Sequence, residues 1–432
     1  MSMSNFITNL LQLKDENITY SEDFSKVRKK GVAYNVIKGT LSYSPSACPI
    51  CGCVNENFSI IKYGLKSSDI KLLTCNGNPT ILRLRKQRFL CKNCTHTFSA
   101  ETNIVEPKCF ISKQIKLKIL ADLMLKISEK DIAYFNYVSH STVSRAIDKN
   151  FSQFEPDPNM LAQHLMFDEF KSTKDAKGAM SFIFADANTH QIIDIVENRK
   201  LPDLRKYFNR YAKEARSNVE TICIDMYSPY ISLSNELFPN AKIVIDRFHM
   251  VQLLTRALQK ARIEVMKKFN TKSMEYKRLK TYWKLILKNV ADLNGTNFQR
   301  RVHFKHWVSD KTIVRESIKV DKRLENTYMA YQDLLSDISR KDIKALENDL
   351  RKWAKEDIDS YMKTAISTLI SYSKYIANSL TYEYSNGPIE GLNNYIKVLK
   401  RIAFGYKSFV HFRNRILISK NLIAPIEKYQ VA

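Results

Sequence analysis

Apolar positions change their spacing along the chain, and each change marks a different kind of structure. Residues 81–88, Ile-Leu-Arg-Leu-Arg-Lys-Gln-Arg, read as a strand with basic side chains clustered on it, Arg83 and Arg85 among them. From 111 to 127 the spacing is helical, with Ile119, Leu120, Leu123 and Ile127 on one side. Ser128 and Asp131 predict a capping box that opens a short helix over 131–137, residues 138–141 a turn, and 142–147 a second helix. In a helix-turn-helix the first residues of the second helix meet base edges, which makes Ser141, Thr142 and Arg145 the candidates for DNA contact. Three short helices are also a generic bundle element.

From about 164 the pattern turns to strands. Segments 164–170 (holding Asp168), 179–185 and 191–196 predict three of them, with a hairpin turn at 186–190. An amphipathic helix follows over 202–215. Next come a strand over 219–224 ending at Asp225, a helix over 229–237, and a strand over 241–245 ending at Asp246. The order β-β-β-α-β-α-β is that of an RNase H-like fold, in which neighbouring strands present carboxylates to shared divalent metals. Residues 247–380 are helical, and the charge-poor stretch 364–382 contains Lys374, so it reads as a buried helix and not a membrane span.

Beyond it lies Ser385-Asn-Gly-Pro-Ile-Glu390-Gly-Leu-Asn-Asn394-Tyr-Ile-Lys397, with Pro388 suited to a first helical turn. Glu390, Asn394, Lys397 and Arg401 share one face, and Leu392, Ile396, Leu399 and Ala403 the other. A carboxylate flanked by Asn, Lys and Arg suits a metal ligand beside a phosphate backbone. Standing alone, the stripe would equally be a solvated polar face.

Charge sharpens the picture. Sixty-nine Lys and Arg against 44 Asp and Glu give +25 over 432 residues, spread along the whole chain. Such a surplus serves solubility or binds a polyanion; its spread favours long contact with nucleic acid. Only ten glycines occur, none in a GxGxxG or GxxxxGK[ST] arrangement, which excludes the usual dinucleotide site and P-loop, so no nucleotide cofactor is expected. The first residues lack a basic region before their apolar run, so no secretory signal is read and a cytoplasmic protein, nucleoid-associated through DNA, is expected.

Six of eight cysteines lie between 48 and 94. Cys48-Pro-Ile-Cys51 and Cys91-Lys-Asn-Cys94 are two CxxC knuckles, which read as a four-thiolate Zn²⁺ site whose intervening hairpin is extended; a disulfide pair is the alternative. Cys53 and Cys75 have no partner at ligand spacing, His96 flanks the site, and Cys109 and Cys223 read as small buried hydrophobes.

These pieces, in this order, resemble the bacterial insertion-sequence transposases of the ISL-three family. The double-CxxC ribbon, the helix-turn-helix, Phe167-Asp168-Glu169-Phe170, Asp246-Arg-Phe-His249 and the segment 385–401 carry the likeness, the last most specifically. The resemblance implies a DDE triad at Asp168, Asp225 and Glu390 holding two Mg²⁺ (or Mn²⁺) ions, with Asp246 and His249 in support. It implies double-stranded DNA, transposon ends and target, as partner, and a homo-oligomer in the synaptic complex. The expected organisation is multidomain α/β plus α: an N-terminal segment (1–44), a zinc ribbon (45–100), a helix-turn-helix (110–150), an RNase H-like core (160–250 and 381–425), and an all-helical insertion (251–380).

Rival carboxylates exist. Alternation turns Glu169 to the face opposite Asp168, Asp186 suits a turn, Glu383 lies off the glutamate helix, and Asp246 is the strongest competitor for the second position. Two other functions stay open: a catalytically inactive DNA-binding regulator, and an RNase H-like nuclease of another kind, to which two DNA-binding modules would be superfluous.

Overall fold

The computed structural model describes residues 13–29, 31–151, 154–420 and 422. They fall into two compact units, one built from residues up to 154 together with those from 397 on, the other from 155–396.

In the first unit β1 (Ile18–Lys29), β2 (Val32–Leu41), β3 (Ile60–Cys75), β4 (Asn78–Cys91) and β5 (Thr97–Ser99) form one sheet of order β1-β2-β4-β3, with β5 on β4. β3 and β4 are the long arms of the hairpin between the two CxxC knuckles. β2 runs parallel to β4 and β1 antiparallel to β2, so the stretch expected only as an N-terminal segment supplies two strands to the ribbon's sheet. Leu41, Ile70, Leu82 and Leu84 fill the buried face.

Three helices follow: α1 (Lys113–Asp122), α2 (Glu129–Phe135) and α3 (His140–Phe151). Ser128 and Asp131 cap α2 reciprocally. The expected helix over 111–127 is shorter than its apolar spacing suggests. Asp122 is buried and accepts a hydrogen bond from Asn136 (2.8 Å). The carbonyls that follow are taken by the fully buried Arg415 of the C-terminal helix, Phe409–Ser419. Its guanidinium donates to the carbonyls of Leu123, Leu125 and Ile127, the last two at 2.9 and 3.0 Å. A helix end that would otherwise bury orphan carbonyls is thus completed from far along the chain.

The second unit is centred on a sheet of order β10-β9-β6-β7-β8, from β6 (His164–Lys171), β7 (Met180–Asp186), β8 (Ile192–Val196), β9 (Thr221–Ile224) and β10 (Lys242–Ile245). β6, β7 and β8 are an antiparallel meander, whereas β9 and β10 join β6 in parallel. The expected helix over 202–215 is two, α4 (Leu201–Phe208) and α5 (Lys213–Ser217). The break comes where the Ala212 N–H leaves the helix to bond Pro158 O at 2.9 Å. With α6 (Ser228–Leu237) they pack on an aromatic core of Phe167, Phe182, Phe184, Phe208, Tyr230 and Phe238. Edge-to-face pairs such as Phe167–Phe182 (5.1 Å) add about 0.5–1.5 kcal/mol each beyond burial.

After β10 comes α7 (Arg247–Lys267), then a run of helices to Thr381 interrupted by a two-stranded hairpin, with their own core around Leu254, Leu258, Leu334 and Ile366. The glutamate helix, Gly387–Ile402, follows. No helix among the described residues is long and apolar enough to cross a membrane.

Candidate active site

Strand register sets the site. β6 pairs with β9 in parallel with Met166 opposite Cys223, and β9 with β10 with Ile224 opposite Ile245. Continuing each register one or two residues brings Asp168, inside β6, level with Asp225 and Asp246, which directly follow β9 and β10. β9 and β10 stop just before these aspartates; α7 begins directly after Asp246, whose side chain caps it by accepting from Phe248 N, and α6 begins three residues after Asp225.

Two asparagines hold the carboxylates. Asn386, buried at the start of the glutamate helix, donates to both Phe167 O and Asp225 Oδ1 (3.1 Å each). Asn393, buried one turn after Glu390, donates to Asp168 Oδ2 (2.7 Å) and Glu169 O (3.3 Å). Asp168 also accepts from the Glu169 N–H at 2.7 Å. His249, in the first turn of α7, lies 3.0 Å from Asp225 Oδ1 and 3.9 Å from Glu390 Oε1.

Burial pushes the Asp168 carboxyl up to about 7 against the pull of the Glu169 N–H, with the negative charges of Asp225, Glu169 and Glu390 adding to the rise. Asp225 is raised as well, first by burial and then by Asp246 and Glu169, while His249 and Asn386 pull it down. The amide donors to Asp168 are neutral and leave its charge uncompensated. The site therefore fits a divalent cation, which would relieve that repulsion.

Among the described residues Asp225, Asp246 and His249 form a group whose ligand atoms lie within 4.8 Å of one another. Asp168 and Glu390 stand outside it. Asp246 is only 3% exposed and is engaged at the helix cap, so Asp225, which lines the open cleft, is the better placed of the two for an incoming ion. That cleft, of about 300 Å³, is also lined by Glu169, Tyr227, His249 and Arg256. Glu169 lies on the Tyr230 side of the strand, as alternation requires, accepting from Tyr230 Oη (2.6 Å) and pairing with Arg199, yet it still reaches the cleft.

The other rivals are accounted for locally. Asp186 accepts from Asn188 N (2.8 Å) and Thr189 Oγ1 (2.9 Å) inside its turn. Glu383 is exposed and pairs with Lys341.

The four knuckle thiols of Cys48, Cys51, Cys91 and Cys94 gather with all sulfurs within 4.8 Å, Cys48–Cys94 at 3.7 Å and Cys51–Cys91 at 3.8 Å. Gly52 takes a φ of +72° so that the first knuckle can turn back on its own cysteine. The Cys53 N–H, aided by neighbouring thiols, holds the Cys51 thiol down at about 6, favouring the thiolate that binds metal. Cys53, Cys75 and His96 are not in this group; the His96 ring instead contacts Cys94 O (2.8 Å).

The expected DNA contacts differ in availability. Arg83 and Arg85 both line an open groove with Lys38, but Arg83 is engaged, donating twice to Asp69 across the hairpin (2.9 and 3.1 Å). Ser141 and Arg145 are exposed at the start of α3, where the Ser141 and Thr142 hydroxyls share Ser139 and Arg145 folds back onto Ser141 O (3.1 Å). Asn394, Lys397 and Arg401 are exposed.

Residues 165–416 match a family model described as a transposase. Residues 44–94 match the zinc-finger of transposase IS204/IS1001/IS1096/IS1165. The chain is similar to the transposase for insertion sequence element IS1001 of Bordetella parapertussis, 24% identical over 272 residues, 60% of this chain and 61% of that protein. A shorter likeness, 36% identical over 111 residues, covers 26% of this chain and 35% of a Lactococcus lactis subsp. lactis protein named ATP-dependent protease. The chain thus spans less than two thirds of either relative.

Proposed function

The chain belongs to the ISL-three transposase family, and from that premise we propose that it is a DDE transposase, binding the terminal inverted repeats of an insertion sequence and catalysing metal-dependent strand cleavage and strand transfer. In this reading the sheet of the second unit is an RNase H-like core, and the helices between β10 and the glutamate helix are an insertion into it. The observation that carries it is the alignment of Asp168 and Asp225 on neighbouring strands, each gripped by an asparagine of the helix that bears Glu390.

Asp168, Asp225 and Glu390 would hold Mg²⁺ or Mn²⁺, which when bound supplies a Lewis acid to activate water and to offset charge on the leaving oxygen. The chain's own groups do the rest. Asn393 and Asn386 fix the carboxylate rotamers, so little reorganisation accompanies ion entry. His249 offers Asp225 a hydrogen bond and steadies the approach of Glu390. Arg256 in the cleft, with Asn394, Lys397 and Arg401, would take the DNA backbone, and the freed 3′-hydroxyl would then attack target DNA in the same site. Zn²⁺ on the four thiolates would fold the ribbon, which with α2 and α3 would recognise the ends in a synaptic homo-oligomer within the cytoplasm.

The test is strand cleavage by the wild-type protein on labelled duplex DNA carrying the element's ends, with and without Mg²⁺. Nicking at the element boundary only with metal is expected. Tight binding of the ends without cleavage in Mg²⁺ or Mn²⁺ would overturn the catalytic reading in favour of a regulator.

A further inference from the structure

Charge divides unevenly along the helical run that follows β10. Residues 247–320 carry 18 Lys and Arg against 5 Asp and Glu, whereas 321–380 carry 10 against 10. The cationic half contains the hairpin of Gln299–Arg300 and Trp307–Val308, and there the usual rule for aromatic side chains fails. Trp307 is 60% and Phe298 51% exposed, with Val302 between them at 66%. Arg300, Arg301 and Lys305 on the same hairpin are exposed too.

The hairpin is nevertheless firmly built. Arg278 donates to His303 O (2.9 Å) and lies 4.1 Å over the Phe304 ring, and Tyr282 donates to Val302 O (2.7 Å). His303 turns the loop with a φ of +70°. One aromatic side is thus spent inside, fixing the loop, and a second is presented outward among cations.

We propose that this hairpin is a binding site for unpaired DNA, in which Arg300, Arg301 and Lys305 take the phosphates and Trp307 and Phe298 stack on exposed bases. Charge selects the occupant, since an uncovered apolar patch for a protein partner would not need this density of cations, whereas a polyanion does. Ring geometry selects the form. Paired bases hide their faces in the stack, so an outward Trp gains only from bases that are unpaired or extruded, where each stacked base contributes about 1–3 kcal/mol. The inference rests on reading the chain as acting on DNA.

The test uses the full-length protein with a fluorescein-labelled oligothymidylate and a duplex of equal length, followed by anisotropy and tryptophan quenching. Trp307→Ala should weaken single-strand binding roughly 10-fold and leave duplex binding unchanged, while Trp307→Phe keeps a stacking face and retains most of the affinity. Arg300→Ala with Arg301→Ala should flatten the salt dependence of single-strand binding. Wild-type binding of the oligothymidylate that none of these variants alters would overturn the hairpin assignment. No binding of either DNA by the wild type would instead overturn the reading beneath it.

Discussion

Asn393 gives its amide N–H₂ to Asp168 at 2.7 Å, while its own oxygen, buried, meets no partner among the described residues. Asn386 repeats the arrangement on Asp225, donating at 3.1 Å and leaving its oxygen unmatched. Unmatched buried acceptors cost stability, so both amides are oriented by the carboxylates they serve and not by their own satisfaction.

Asn393→Ala therefore removes the constraint on Asp168 without touching the exposed side of the helix, which carries Asn394, Lys397 and Arg401. Cleavage should fall about 10- to 100-fold, as for lost partners of metal ligands, with end binding unchanged and partial recovery at high Mg²⁺. A metal titration of the cleavage rate checks this; an unchanged metal dependence would assign Asn393 to packing alone.

The raised Asp168 carboxyl sets a pH dependence. The folded state keeps its proton up to about 7, whereas the unfolded chain releases it near the ordinary value of 3.8. The metal-free protein thus binds more protons folded than unfolded between those values, and the stabilisation present at low pH is lost as pH rises through about 7. Asp168→Asn should flatten this decline, and Mg²⁺ should raise the melting temperature of the wild type above pH 7 more than that of the variant. Thermal scans from pH 5 to 8 decide it.

Zinc should be structural. Removing it with a chelator, or Cys51→Ser, should loosen the β3–β4 hairpin and abolish end binding, because an empty thiolate tetrad cannot hold its knuckles together. Metal analysis of the purified protein should return one zinc per chain bound through the ribbon, and its loss should precede loss of DNA affinity.

Arg415 completes the end of α1 with three carbonyl contacts. Arg415→Met keeps bulk but orphans those carbonyls, each worth about 1–3 kcal/mol when left buried. The variant should unfold at markedly lower denaturant, and end binding should fail at temperatures the wild type tolerates. Unaltered unfolding would show that water replaces the guanidinium.

What the sequence made legible is what local spacing encodes. The CxxC knuckles, the strands that end in Asp225 and Asp246, and the capping box at Ser128 all state their geometry within a few residues. The contribution of Arg415 was not legible, because its partners lie nearly 300 residues earlier. Nor was the service of Asn393. A neutral amide carries no charge signal, and the adjacent Asn394, four residues after Glu390, fits the helical stripe equally well; only packing on β6 turns position 393 inward. β1 was hidden by its charged residues, which an edge strand tolerates.

The proposed metal-dependent cleavage turns on Glu390. The decisive measurement is Mg²⁺-dependent strand cleavage of end DNA by the wild type and by Glu390→Gln, which keeps side-chain size and loses the metal-binding charge. Cleavage lost by the variant, with end binding and folding retained, is the predicted result. Equal cleavage by both proteins would contradict it and remove Glu390 from the catalytic set.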